Sequence, residues 1–203
     1  GLMQPFTPLL LSWFGKSELK TLHGAEWQGG VIAPQGRALM CGFYLNELML
    51  RLLARGDAHQ GLYDAYVATL AQLAAASPDS FEAILRRFEK TLLSETGYAP
   101  TFDKEADSGE TVRAELQYHF QPERGPRRED GDIRISLRDQ QAQQGVSVSG
   151  QTLLHLAENY FDDAATLAEA KPLMRMLINH YLGAKPLYTR QLLRELTELH
   201  EPT

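Results

Sequence analysis

Cationic side chains gather in two places where anion-binding chemistry is conceivable. The first is the stretch ILRRFEKTLLSETGYAP, where Arg86, Arg87 and Lys90 stand among apolar residues at helical spacing. On a wheel of ~100° per residue, Phe81, Ile84, Leu85, Phe88 and Leu92 fall within about one quadrant. Arg86 and Lys90 fall nearly opposite, with Leu93 beside both. A leucine rimmed by cations could take a short segment that is acidic and hydrophobic at once, because arginine pairs bidentately with carboxylates. The same spacing fits a plainer arrangement, in which Leu93 touches a second neighbouring element and the cations are solvated. Arg87 lies away from Leu93 and is expected to be solvated.

The second place is late in the chain. Lys171, Arg175, Lys185, Arg190 and Arg194 follow one another, and GAKPLYTR couples Lys185 and Arg190 with Tyr188 in a turn entering a helix. Such a group could contact phosphate through its cations and stack a base on the tyrosine. It could equally be a set of helix C-terminal dipole partners and surface charges.

Other chemistries find little support. The six histidines are scattered, with no HExxH pair. No GxSxG elbow, GxxxxGK[ST] loop or GxGxxG turn occurs. DKEADSGE starts like a calcium loop, with Asp103, Glu105 and Asp107. Its glycine falls one position late, and Ala114 stands where a bidentate glutamate belongs. It reads as an acidic solvated loop. No enzyme, no metal and no cofactor are expected.

Composition sets the frame. The chain has 203 residues, 43% hydrophobic and 23% charged, ordinary for a globular protein with a sizeable core. The formal net charge of −6 argues against a uniformly basic nucleic-acid binder, although phosphate contacts depend on local potential. The lone Cys41 excludes an intrachain disulfide framework and a cysteine zinc site, and a reducing cytoplasm is the simplest setting. No apolar run is long enough to span a bilayer. The opening GLMQPFTPLLLSW enters directly into an apolar segment and reads as a fragment whose beginning is missing.

The elements that must position these residues are mostly helices. Residues 6–14 and 19–27 read as two strands joined through Gly15, marginal without further strands. GGVIAPQG is a breaker cluster. Helices follow over RALMCGFYLNELMLRLLARG, GLYDAYVATLAQLAAAS and SPDSFEAILRRFEKTLLSETG. The third starts at Pro78 or Ser80 and has Gly97 at its C′ position. From Tyr98 to about Gly131 the pattern breaks down. AELQYHF, DIRISLR and GVSVSG could be short strands, and PERGPRRED reads as an exposed loop. Helices return with GQTLLHLAEN and DDAATLAEAKPLMRMLINHYLG, the latter kinked or divided by Pro172. A last helix, TRQLLRELTEL, has Thr189 as its cap.

Four segments together resemble the DNA-repair family RecO: LMQPFTPLLLSWFGKSELKTL, YLNELMLRLL, LRRFEKTLLSETGY and HYLGAKPLYTRQLLREL. They occur in the same order, from near residue 2 to about 196. The resemblance implies a mainly α protein. Its helical C-terminal domain, 31–203, would carry a small irregular β-containing insert at about 99–149. Residues 1–30 would be the last strands of an N-terminal OB-fold barrel. In many relatives the insert holds a four-cysteine zinc site after the GY motif. GYAPTFDKEADSG has no cysteine, so no zinc and a looser, polar module are expected. The implied role is recombination mediation: binding single- and double-stranded DNA, annealing strands, and working with RecR to place RecA on DNA coated by single-stranded-DNA-binding protein (SSB). The acidic, Phe-ending SSB tail would dock at Arg86, Lys90 and Leu93, since the family's pocket arginine falls in LRRF. DNA would meet Lys171, Arg175, Lys185, Tyr188 and Arg190. The alternative is a helical protein-interaction module without direct DNA binding.

Overall fold

Residues 3–30, 33–98, 100–129, 145–183 and 185–192 are described by the computed structural model of the chain. Its first elements are the expected strands. β1 (Leu9–Phe14) and β2 (Thr21–Trp27) pair antiparallel, from Leu9 opposite Trp27 to Phe14 opposite Thr21, with a bulge at Ser12/Trp13. Neighbouring strand residues point to opposite faces, and Trp13 and Phe14 are both 59% exposed, so neither face of the hairpin is covered by the described residues. Its attachment to the helices runs through Phe6. That ring meets Phe43 edge-on at 5.2 Å. A Cβ on Gly42 would stand 2.9 Å from it, so only glycine admits the ring there.

α1 (Arg37–Leu52), α2 (Gln60–Ala75) and α3 (Phe81–Glu95) follow, α3 entered through a single 3-10 turn at Pro78–Ser80. α3 ends as its sequence dictates. Gly97 takes φ 77°. Its N–H donates to the carbonyl of Ser94 and that of Tyr98 to Leu93, the paired bonds of a glycine-terminated helix.

Two apolar clusters share α3. Leu45 and Leu48 of α1, Leu70 and Leu73 of α2, and Ile84, Phe88 and Leu92 of α3 form the first. Leu93 belongs to the second, with Phe102, Tyr118, Phe120, Leu153, Phe161 and Leu177. Buried along two stripes, α3 carries apolar contacts beyond the single quadrant that spacing picks out. The plainer reading of Leu93 is therefore the observed one: it is fully buried against a second neighbour.

The segment after Tyr98 departs most from expectation. β3 (Gln117–Gln121) is the centre of a three-stranded antiparallel sheet, between β4 (Gly125–Arg128) and β5 (Val146–Ser149). AELQYHF and GVSVSG are strands as expected, whereas DIRISLR lies outside the described residues. PERGPRRED is not an exposed loop over its described part: Gly125 and Pro126 are buried within β4. Nor is the module loose. Glu105, read as solvated, is buried. Its carboxylate accepts hydrogen bonds from Tyr118 Oη (3.0 Å), Ser108 Oγ (2.7 Å) and Arg128 Nη2 (2.7 Å). Side chains here tie the loop to β3 and β4, a cross-link that composition could not reveal.

α4 (Gly150–Ala157) and α5 (Ala164–Leu182) complete the second cluster. Ser149 and Asp163 cap them by accepting from the N–H groups of Thr152 and Thr166. Pro172 does not divide α5, which runs unbroken past it. Ala168, whose carbonyl loses its donor, is exposed, and buried Leu173 and Met174 hold the helix on its inner side. The expected last helix is described over residues 188–192 only.

Candidate nucleic-acid interface

α5 carries Lys171, Arg175 and Asn179 at successive four-residue steps, so they form one ridge of the helix. The ridge borders two adjoining cavities. One, about 620 Å³, lies between Lys171, Arg175 and His180 on α5 and Pro122 of the insert. The other, about 450 Å³, is ringed by Arg175, Lys185 and Arg190, with Asn179 and Gly183 on its wall. Arg175 and Asn179 belong to both, so the two form one groove along α5.

The four expected phosphate-binding cations thus converge, though they are 19 positions apart in the chain at the extremes (190 − 171). Their free charge differs. Lys171 Nζ lies 3.4 Å from Glu82 and is partly neutralised. No carboxylate pairs with Arg175 or Lys185 among the described residues. Arg190 has no carboxylate in direct contact among the described residues and is held in place: Nη1 donates to Asn179 Oδ1 (3.0 Å), Nη2 to Tyr44 Oη (3.3 Å), and the guanidinium lies 5.6 Å over the Tyr44 ring. Tyr188 is 76% exposed and stands outside the walls of both cavities. Arg194 lies outside the described residues.

The segment bearing Lys185 and Arg190 is fastened to α1 by residues that sequence reading passed over. Glu47 accepts from the N–H groups of Tyr188 (2.8 Å) and Thr189 (2.9 Å) and from Thr189 Oγ1 (2.7 Å). The cap of 188–192 is therefore Glu47, not Thr189 itself. Arg51 donates to the carbonyls of Pro186 (2.9 Å) and Lys185 (2.6 Å). Burial raises the Glu47 pKa, but the Thr189 and Tyr188 bonds and Arg51 outweigh it and hold the carboxyl below its ordinary range. The only sequence signal was an i, i+4 acid–base pair, indistinguishable from a common surface ion pair.

The group on α3 does not form the expected open spot. Arg86 is only 7% exposed, and Leu93 is fully buried. Arg86 Nη2 donates to Glu89 Oε1 at 2.8 Å, and Tyr44 Oη donates to the same oxygen at 2.6 Å. Lys90 Nζ donates to the carbonyls of Leu156 (2.5 Å) and Ala157 (3.0 Å), filling the C-terminal end of α4 with a cation. Burial lowers the Lys90 pKa. Arg87 is not simply solvated: it pairs with Asp162 at 2.8 Å and lies 5.7 Å from the Phe161 ring centroid. Tertiary packing has drawn all four side chains into structural contacts.

No group of three or more His, Cys, Asp or Glu side chains is placed to hold a metal ion among the described residues. No helix among them is long and apolar enough to cross a membrane.

Fold and groove together define a mainly helical protein with a three-stranded antiparallel sheet between α3 and α4 and a row of solvent-facing cations. Comparison with known proteins gives that class its family. The family model for the recombination protein O C terminal matches residues 33–191. The chain is 66% identical to the DNA repair protein RecO of Thiobacillus denitrificans, covering 98% of this chain and 76% of that protein. It is 47% identical to RecO of Nitrosospira multiformis and 48% to RecO of Aromatoleum aromaticum, each over 98% of this chain and 78% of the relative. The chain belongs to the RecO family, and its role lies in DNA repair and recombination.

Proposed function

We propose that the α5 groove binds the phosphate backbone of DNA, single- or double-stranded. In this reading the protein acts as a recombination mediator that anneals single strands and, with RecR, helps load RecA onto SSB-coated DNA. The observation that carries the reading is the convergence of Arg175, Lys185 and Arg190 on one cavity, the first two without a carboxylate partner among the described residues. Phosphate binding releases condensed counterions, so affinity for a fluorescent single-stranded oligonucleotide should fall steeply with salt. Combining Arg175→Ala with Lys185→Ala should weaken binding and flatten log affinity against log salt by about 1.4, roughly 0.7 per lost phosphate contact. An unchanged slope would reject the groove, and no binding of oligonucleotide by the parent protein would favour a protein-interaction module without direct DNA binding.

The same cations suit the acidic SSB tail, since carboxylates and phosphates share donors. We place the tail on this groove rather than at Arg86, Lys90 and Leu93. A docking peptide needs groups that face solvent, and Arg86 and Leu93 do not. A tail peptide ending in Phe should compete with oligonucleotide, and the competition should vanish in the Arg175→Ala, Lys185→Ala protein. The hairpin β1–β2 fits the last strands of an OB-fold barrel comprising residues 1–30. Support comes from its two uncovered faces, which only further strands or another layer would bury.

A further inference from the structure

The groove depends on a segment that, among the described residues, α5 itself holds only through the Arg190–Asn179 hydrogen bond. α5 stops at Gly183, whose φ of 71° turns the chain away from the helix. Beyond it, Lys185 and Arg190 lie on a short stretch with one buried apolar anchor, Leu187. Arg190 lies over the Tyr44 ring and donates to its hydroxyl, and the other ties to α1 are polar. Glu47 takes three donors from Tyr188 and Thr189, and Arg51 gives two hydrogen bonds to the carbonyls of Lys185 and Pro186. Glu47 and Arg51 also lie 3.6 Å from each other, with side chains 13% and 21% exposed. The two act as complementary halves of one clamp: an acceptor for the free N–H groups that open the 188–192 turn, and a donor for the carbonyls just before it.

Resting on the reading of the α5 groove as an anion site, we infer that Glu47 and Arg51 are its positioning residues: they set where Lys185 and Arg190 stand. A carboxylate near an anion site opposes anion binding by charge alone, so neutralising it should strengthen binding. A clamp makes the opposite demand. Glu47→Gln removes the negative charge but keeps one acceptor oxygen, too few for three donors.

The test measures affinity of the full chain for a single-stranded oligonucleotide at fixed salt, with amide hydrogen exchange of residues 187–191 in the free protein. Glu47→Gln should bind about three- to tenfold more weakly, the scale of losing a helix cap, although the protein is one charge more positive. Arg51→Lys keeps the charge but loses the forked donation, and should weaken binding in the same direction. Exchange at 187–191 should speed up in both variants, while amides of α3 keep their protection. Binding that is unchanged or tighter in Glu47→Gln overturns the inference, whatever the exchange shows. Arg175→Ala with Lys185→Ala runs alongside. If that variant binds like the parent, the groove reading has failed and takes the inference with it. If it binds weakly while Glu47→Gln and Arg51→Lys do not, only the clamp is rejected.

Discussion

Two buried glutamates, Glu89 in the helical core and Glu105 in the inserted module, have partners of the same kind and opposite protonation tendencies. Each accepts from an arginine and a tyrosine, Arg86 and Tyr44 for the first, Arg128 and Tyr118 for the second. Burial raises the Glu89 pKa more than Arg86 and Tyr44 lower it. Burial also pushes Glu105 upward, but Arg128, Ser108 and Tyr118 together pull its carboxyl below the ordinary range. Burial, the largest cause of the Glu89 shift, separates them first, and the second oxygen differs as well. Glu105 uses both, with Ser108 on Oε2, whereas Glu89 Oε2 and Arg86 Nε have no hydrogen-bond partner among the described residues. Partner type alone does not set the state of a buried acid; each lone pair and N–H must be accounted for.

The largest test of this contrast is removal of the arginine. Arg86→Ala should cost about 3–5 kcal/mol in urea unfolding, because it strands a fully buried carboxylate. Arg128→Ala should cost less, about 1–3 kcal/mol, since Glu105 keeps Tyr118 and Ser108 and the site is partly open to water. Equal losses would dissolve the distinction.

pH sharpens it next. With its folded pKa raised, Glu89 takes up a proton in the folded protein before the unfolded chain does. Its contribution to stability should therefore grow as pH falls from neutrality through that raised value. Glu105, with its folded pKa lowered, stabilises above the ordinary glutamate range and loses that contribution as pH falls through its depressed value. Denaturant titrations at a series of pH values should thus show Glu89→Gln removing a gain on acidification and Glu105→Gln removing a loss. Slopes of the same sign would contradict the pairing.

The smallest effect belongs to the exposed neighbour of the insert hub. Asp107 pairs with Arg127 at 2.7 Å, both well exposed. Asp107→Ala should shift unfolding by no more than about 0.5–1 kcal/mol and should leave the pH profile of Glu105 in place. A loss as large as that of Arg128→Ala would make the whole loop, not the buried carboxylate, the cross-link.

Local order was legible because it is written locally. The helical spacing of α1 to α3, Gly97 at the end of α3, and strands at AELQYHF and GVSVSG all follow from neighbours in the chain. The site was legible only in its ingredients. Lys171, Arg175, Lys185 and Arg190 could be named, but so could Arg86 and Lys90, and spacing ranked neither set. Tyr188 lies outside the groove walls, and Glu47 and Arg51 were invisible because their partners lie up to 142 residues away.

By itself the sequence determined the helical architecture, the glycine stop of α3 and membership of the RecO family, since periodicity, a C′ glycine and motifs are properties of adjacent residues. Tertiary structure alone decided which charges face water. α3 is packed on two sides, so its off-face leucine and arginine are buried, while α5 leaves one ridge open. A helical wheel averages over one solvent-facing side. Burial on a second side, and hydrogen bonds between distant segments, arise only when the chain closes on itself.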